Sequence, residues 1–245
     1  MTFRRALALV TVALLVACKS NPAVEHRKEG DALFSGSDFA GAAAAYAKSL
    51  ALEPKQEKVW ERLAFCRVKT GESEAAAEAL VKVADFKPAP AQKAEVFRNA
   101  AGIFLQGPDR LKAERYLVET VRLEPADEGS LGWLAELAAE KGGARIDAAP
   151  VVPEELDSAI RYYNKLIELR PEGKAAHANR RLVLVKYVNH LAEEKRREET
   201  ALRRGRGGDA AAEGRERVAR IDAKLAELRR LLDESEAKLT GKRKS

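Results

Sequence analysis

The sequence contains little of what most catalytic and metal-binding domains require. Only three histidines and two cysteines occur among its 245 residues, and aromatic residues make up 6% of the chain. None of His26, His177 and His190 stands at a metal-ligand spacing from a cysteine, an aspartate or a glutamate. No glycine-rich phosphate loop follows a predicted strand, and no set of nucleophile, base and orienting group can be assembled from the sequence. We therefore predict a protein that is not an enzyme and that holds no metal and no cofactor.

What the chain does contain favours stacked helices. Hydrophobic residues make up 46% of the sequence and charged residues 33%. Alanine and leucine dominate the apolar residues, and they suit closely packed helices better than a β-sandwich or a barrel. We therefore predict an all-α fold.

Four prolines, Pro54, Pro88, Pro125 and Pro171, each end a series of similar positions. Every series places a small residue twelve positions before the proline and a bulky residue eight positions before it, and three series begin with a small residue on an earlier helix. The residues at these positions are Gly30, Ala42 and Tyr46; Ala64, Ala76 and Leu80; Ala101, Ala113 and Leu117; and Ala159 and Tyr163. Small residues let paired helices lie close together, and the bulky residue fills the space between hairpins. Proline ends the second helix because it lacks an N–H and its ring clashes with the preceding turn.

This pattern resembles the tetratricopeptide repeat, whose period of 34 residues equals the distance from Pro54 to Pro88. The resemblance implies an α-solenoid over residues 18–173, because a single hairpin cannot bury its own apolar stripe and neighbours must stack. Its four helix hairpins are predicted at about 23–56, 57–90, 94–127 and 128–173. About twelve residues, at 142–153, are inserted into the fourth repeat. A neutral insertion and a role in binding both fit its loop composition.

The resemblance also implies a binding surface. In tetratricopeptide arrays the first helices of the hairpins line a concave groove that holds a segment of a protein partner. Aligned on the glycine and proline positions, the residues predicted to face this groove are Arg27, Asp31, Phe34, Lys58, Glu61, Phe65, Lys69, Arg98, Leu105, Gln106 and Glu136. The charged residues would fix the register of the partner, and Phe34 and Phe65 would provide apolar anchors. The alternative is that all of these side chains are ordinary solvated surface.

Two further helices are predicted after the repeats. A capping helix over 174–204 carries an apolar stripe in its first half and covers the open end of the solenoid. After a glycine-rich turn at 205–214, an amphipathic helix and a basic tail occupy 215–245. The apolar residues of this helix follow a coiled-coil spacing that Ser235 interrupts. The helix therefore folds back on the capping helix, or it forms a homo-oligomer through residues 215–240.

The C-terminal region is basic. Residues 174–245 contain twenty Lys and Arg against twelve Asp and Glu, and the formal net charge of the whole chain is +6. Nucleic acid is not predicted as the partner, because glutamates interrupt the basic residues as on a solvated helix face, and because residues 1–17 resemble a signal peptide that would direct export. Anionic lipid, a wall polymer or an acidic protein surface suits this region better.

Residues 1–17 are predicted to be a signal peptide. They start with positive residues and continue with an apolar run that is too short to span a membrane as a helix. The box Leu15-Val16-Ala17-Cys18 resembles the bacterial lipobox. This resemblance implies that the leader is cut before Cys18 and that the cysteine carries acyl chains such as palmitate. An ordinary signal peptide with a coincidental cysteine is the alternative.

The residue after the lipobox bears on the membrane in which the protein resides. In proteobacterial lipoproteins an aspartate there resembles a signal for retention in the inner membrane, and this chain has Lys19. We therefore expect a lipid anchor in the outer membrane, with the protein facing the periplasm. A lipidated Cys18 leaves Cys66 without a partner for an intrachain disulfide, and we expect Cys66 to be a small, semi-buried side chain.

Together these features predict a non-enzymatic scaffold for protein–protein interaction. A lipid would anchor it to the bacterial envelope, where it would help to assemble or recruit an envelope complex. The sequence leaves two alternatives open. One is a pilotin-like assembly factor for the secretin of a type IV pilus or secretion system. The other is a structural coiled-coil tether that oligomerises through its last helix.

Overall fold

The computed structural model describes residues 21–145, 149–205 and 208–241. Within these ranges every regular element is a helix, which confirms the predicted all-α fold. The predicted signal peptide and lipobox, with Cys18, lie outside the described residues. No helix of the described ranges is long and apolar enough to cross a membrane. The same ranges hold no group of three or more His, Cys, Asp or Glu side chains that could bind a metal ion.

The chain divides into two compact units, Met1–Ala113 and Glu114–Ser245. The helices of the first unit are α1 (Pro22–Ser35), α2 (Phe39–Leu52), α3 (Glu57–Lys69), α4 (Ser73–Ala84), α5 (Pro90–Leu105) and a 3₁₀ helix (Arg110–Ala113). Those of the second unit are α6 (Glu114–Leu123), α7 (Glu128–Lys141), α8 (Pro153–Leu169), α9 (Lys174–Arg203) and α10 (Asp209–Thr240).

The first unit consists of helix hairpins that pack through small residues. Gly30 on α1 lies against the ring of Tyr46 on α2, where an added Cβ would stand only 2.6 Å from Tyr46 Cε1. Ala42 on α2 and Ala76 on α4 are fully buried. α1 packs on α2 and α3 on α4, while α2 contacts α3 and α4 contacts α5. Each hairpin therefore buries its apolar face against its neighbours, as stacked repeats require.

The second unit has one apolar core to which α7, α8, α9 and α10 all contribute. Leu156 and Tyr163 of α8, Leu184 of α9 and Leu228 of α10 are at most 2% exposed. α10 packs along α9. The last helix therefore folds back on the preceding one, which was one of the two predicted arrangements, and its apolar face is part of this core.

The turn before α10 is shorter than the sequence predicted. α10 begins at Asp209 and not at Arg215, so the prediction of a turn over 205–214 is wrong in its second half. Gly214 lies inside the helix, where an added Cβ would stand 2.8 Å from Leu202 Cδ2 of α9. This glycine lets the two helices approach closely and does not end the helix.

Ser235, which interrupts the apolar spacing of α10, lies opposite a buried arginine of α9. Arg180 is 2% exposed and Ser235 is fully buried. Arg180 Nε donates to Ser235 Oγ at 3.0 Å, and the rest of the guanidinium group bonds Asn164 Oδ1 at 2.6 Å and Glu234 Oε1 at 3.2 Å. An apolar residue at position 235 would leave Nε buried without this acceptor, which explains the polar residue at an apolar position.

The insertion at 142–153 begins with two glycines that the local packing requires. An added Cβ at Gly142 would stand 2.3 Å from Leu156 Cδ2 of α8. Gly143 has a φ of 73°, a left-handed conformation that favours glycine. The start of the insertion is therefore packed against the fourth hairpin.

Candidate functional site

Three phenylalanine side chains of the first unit contact one another and form what we call the phenylalanine cluster. The ring centroids of Phe34 and Phe65 are 5.4 Å apart, and the centroid of Phe39 lies 5.8 Å from each of them. These edge-on and tilted contacts are the arrangements that aromatic rings favour. Phe65 is 45% exposed. The structure thus brings the two predicted aromatic anchors together, with part of the cluster open to solvent.

A tight turn between α1 and α2 places Phe39 in the cluster. Ser37 adopts a left-handed φ of 62°. The next residue, Asp38, caps α2 by accepting a hydrogen bond from Gly41 N at its Oδ1 atom, at 2.9 Å. Phe39 is the first residue of α2 and therefore points back over the end of α1. Sequence reasoning missed it because only first helices were expected to line the binding surface, although the capping signal at Asp38 could have located it.

Asp31, which was predicted to face the partner, is engaged within the protein. Its carboxylate forms an ion pair with Arg62 and accepts a hydrogen bond from the Tyr46 hydroxyl at 2.8 Å. Burial, with a contribution from Asp31, raises the pKa of Tyr46 to about 12. Arg62 in turn lies 5.8 Å from the centroid of the Phe34 ring. Asp31 therefore holds Arg62 beside the cluster. Arg62 was not among the residues predicted from the sequence, although it stands on the same face of α3 as Lys58, four residues earlier.

Further cations lie on the two helices that carry Phe34 and Phe65. Lys69 Nζ lies 5.3 Å from the centroid of the Phe65 ring, within the range of a cation–π contact. Within the part of the chain that the structure describes, Arg27, Lys58 and Lys69 form no ion pair. Lys58, Phe65 and Lys69 recur on one face of α3 at helical spacing. The exposed part of the cluster therefore lies beside a basic helix face.

The other predicted residues of the first unit have more ordinary surroundings. Glu61 Oε1 lies 3.7 Å from Lys87 Nζ, so its charge is partly balanced. Arg98 and Leu105 are half-buried on α5, and Gln106 is exposed at the end of that helix.

Glu136, the predicted groove residue of the second unit, lines a cavity of about 520 Å³. Helices α7, α8 and α9 enclose this cavity, which we call the α7–α9 cavity. Its lining residues are Glu128, Gly129, Gly132, Trp133, Glu136, Tyr163, Leu166, Arg170, Gly173, Ala175, Ala176 and Asn179. Trp133 is 41% exposed. Trp133 was not among the residues predicted from the sequence, although a large aromatic residue that follows a glycine on a first helix could have indicated it.

Both carboxylates of the α7–α9 cavity have partners within the second unit. Glu136 accepts hydrogen bonds from the Tyr163 hydroxyl at 2.9 Å and from Asn179 Nδ2 at 3.0 Å, and it also pairs with Arg145. Glu128 pairs with Arg170 at 2.8 Å. Burial raises the pKa of Tyr163 to about 12, so its hydroxyl remains a proton donor at neutral pH. The charges of the cavity are therefore satisfied by the protein itself.

The repeats are also found by comparison with known proteins. Residues 33–94 match the tetratricopeptide repeat family. This segment covers most of the first two hairpins and the start of α5. Residues 33–94 are therefore similar to tetratricopeptide repeats, and the described helices have the fold class of the corresponding solenoids. A search of curated proteins found no match.

Several solved structures have a similar fold. A TPR repeats protein from Bacteroides fragilis NCTC 9343 superposes with a TM-score of 0.51 at 10% identity, over 89% of this chain and 99% of that one. A MamA protein reaches a TM-score of 0.42 at 18% identity, over 91% and 97% of the two chains. YrrB, described as a TPR protein with an unusual peptide-binding site, reaches 0.41 at 17% identity, over 89% and 94%. At these identities the likeness concerns the fold alone.

Proposed function

We propose that this protein is a non-enzymatic scaffold that binds a segment of a protein partner at the phenylalanine cluster and is held at the bacterial envelope by a lipid on Cys18. The observation that carries the binding part is the exposure of Phe65, which contacts Phe34 and Phe39 and lies 5.3 Å from Lys69 Nζ, a cation that forms no ion pair with any residue that the structure describes. Tetratricopeptide repeats bind peptide or protein partners, and residues 33–94, which match this family, include the whole cluster.

The chemistry of this surface favours an apolar anchor flanked by acidic residues. An aromatic side chain buries about 150–250 Å² in a contact, and buried aromatic anchors provide much of the affinity of protein interfaces. Arg27, Lys58 and Lys69 lie on the two helices that carry the predicted anchors. Acidic residues of a partner would pair with these cations. Such charge complementarity speeds association and disfavours basic partners.

Photo-crosslinking in living cells tests this surface. A photoreactive phenylalanine analogue placed at Phe65 should form discrete adducts with envelope proteins, and the substitution Phe34→Ala should reduce them. The same analogue at Leu182, which is 56% exposed on α9, is the control for surface exposure alone. The proposal fails if position 65 gives no adduct, or if it gives the same adducts as position 182.

The lipid anchor is tested separately. It rests on the box Leu15-Val16-Ala17-Cys18, which follows a short apolar run. Cys18→Ser should release the protein from membranes or leave an uncleaved precursor. Globomycin, which blocks the lipoprotein signal peptidase, should cause the precursor of the unaltered protein to accumulate. Processing that continues normally in its presence would exclude the anchor, and fractionation of the two membranes tests the expected outer-membrane location.

The alternative of a coiled-coil tether receives less support than the scaffold. Ile221, Leu225, Leu228 and Leu231 of α10 are buried in the core of the second unit, so this seam is already used within one chain. Light scattering decides between them, because a tether requires a stable oligomer and the scaffold does not.

A further inference from the structure

We propose that the α7–α9 cavity is a second binding site, which takes an uncharged aromatic side chain from a protein partner. This inference extends the proposed scaffold function to a site in the second unit, and it does not depend on the phenylalanine cluster. The cavity volume of about 520 Å³ falls within the range of roughly 300–1,000 Å³ that is usual for ligand sites.

Gly132 of α7 lines the cavity. An added Cβ at Gly132 would meet no atom within 4 Å, whereas one would stand 2.6 Å from a side-chain atom at Gly30 and 2.8 Å at Gly214. Close packing therefore requires glycine at those two positions but not at Gly132, and Gly102 of α5 resembles Gly132 in this respect. Glycine is a poor helix former. Because Gly132 is part of the cavity wall, its missing side chain keeps this part of the cavity open.

Two aromatic side chains, Trp133 and Tyr163, line the cavity. Trp133 follows Gly132 directly and is 41% exposed, which is unusual for the largest apolar side chain. The Tyr163 ring also lines the cavity. The start of α9 contributes the small residues Ala175 and Ala176 and also Asn179, whose Nδ2 donates to Glu136. A planar ring fits between such walls, and aromatic rings attract one another in offset or edge-on geometry.

The carboxylates that line the cavity already form ion pairs. Glu136 is held by Tyr163, Asn179 and Arg145, and Glu128 is paired with Arg170. A charged guest of either sign would have to compete with one of these ion pairs, because the two carboxylates are already neutralised by Arg145 and Arg170. Burying a charge without a partner is costly. An uncharged guest is therefore the one that matches the cavity.

The test uses Trp133 as the reporter in the full chain. Trp60 is the only other tryptophan, so Trp60→Phe leaves Trp133 as the single fluorophore. The probes are capped pentapeptides of glycine with phenylalanine, leucine, lysine or aspartate at the centre. We expect a saturable change of Trp133 emission with the phenylalanine peptide, and binding at least about tenfold weaker with each of the others. No saturable change with the phenylalanine peptide, or equal or tighter binding of any other peptide, overturns the assignment.

Two substitutions at Gly132 locate the site. Gly132→Leu should fill the cavity and weaken binding of the phenylalanine peptide at least about tenfold. Gly102→Leu is the matched control, because Gly102 also lies inside a helix and an added Cβ there meets no atom within 4 Å. Gly132→Ala should raise the thermal midpoint, since alanine is the better helix former, and yet weaken binding. Unchanged affinity in both Gly132 variants would overturn the proposal.

A failure of the cavity proposal and a failure of the proposed function give different results. The double variant Phe34→Ala/Phe65→Ala should lose the crosslinks at the phenylalanine cluster but should titrate like the unaltered protein with the phenylalanine peptide. A loss of the Trp133 response in that double variant would show that the cavity is not an independent site.

Discussion

Replacing Ser235 by leucine would complete the apolar spacing of α10, and we nevertheless expect it to destabilise the second unit. Sequence pattern alone predicts a gain, because leucine is the usual residue at such a position in a coiled coil. The structure predicts a loss, because Ser235 Oγ accepts a hydrogen bond from the buried Arg180 at 3.0 Å. The two predictions therefore differ in the sign of the change in stability that Ser235→Leu causes.

The expected magnitude follows from three contributions. A hydrogen bond to a charged group contributes about 1.5–3 kcal/mol. Burying a leucine side chain would gain about 1.5–3 kcal/mol. Position 235 is fully buried against the guanidinium group, however, so overpacking should cost about 1–3 kcal/mol and roughly offset that gain. The net loss is about 2 kcal/mol, which corresponds to a fall in the thermal midpoint of roughly 5–10 °C for a unit of this size.

Urea unfolding measures this change. Trp133 lies in the second unit, so its fluorescence in a Trp60→Phe background reports the unfolding of that unit. The matched control is Arg180→Met/Ser235→Leu, which replaces the polar contact by an apolar one. This double variant should recover at least half of the loss, because replacing a buried polar cluster as a whole is often nearly neutral. Ser235→Leu that is as stable as the unaltered protein, or more stable, would refute the reasoning.

Three further predictions concern the packing and the buried titratable groups. Ala76→Leu or Ala113→Leu should overpack a fully buried contact and lower the free energy of unfolding by about 1–3 kcal/mol, and an unchanged thermal midpoint in either variant would contradict the repeat register. Cys66 is fully buried, and burial raises the pKa of its thiol, so in a Cys18→Ser protein a thiol reagent should react only after unfolding; rapid reaction of the native protein would show that the first unit opens readily. Because the pKa of Tyr163 is raised to about 12, its contribution to stability is complete below about pH 10 and is lost as the pH rises towards 12, by up to about 1.4 kcal/mol per pH unit. The free energy of unfolding of Tyr163→Phe should therefore fall less at alkaline pH than that of the unaltered protein. The same dependence on pH in both proteins would exclude this contribution of Tyr163.

The hairpins of this protein could be predicted from sequence because their packing repeats. Gly30 and Tyr46 were selected by their distance from a proline, and the structure shows the ring of Tyr46 against the Cα of Gly30. Ala42 and Ala76 were selected in the same way and are fully buried. A contact that recurs at a fixed spacing places similar residues at the same position of every repeat. Several weak matches together therefore support one alignment of the repeats.

The features that the sequence did not reveal depend on contacts that occur once. The pairing of Arg180 with Ser235 joins residues 55 positions apart, and no periodic pattern marks it. Phe39 enters the phenylalanine cluster through a left-handed residue in a tight turn, which a helix alignment does not represent. The predicted turn over 205–214 included Gly214, because a glycine that permits close packing and a glycine in a turn look the same in sequence.

The effects given above for one unit hold only if the two units unfold separately. In stacked hairpins each element contacts mainly its neighbours, so stability is approximately a sum over local contacts. Ala76 lies in the first unit and Ser235 in the second. If the units unfold independently, the loss that Trp60 reports for Ala76→Leu/Ser235→Leu should equal the loss in Ala76→Leu alone, and the loss that Trp133 reports should equal the loss in Ser235→Leu alone. A loss reported by Trp60 that also contains the effect of Ser235→Leu would mean that the two units unfold as one, and the effects assigned to a single unit would then belong to the whole chain.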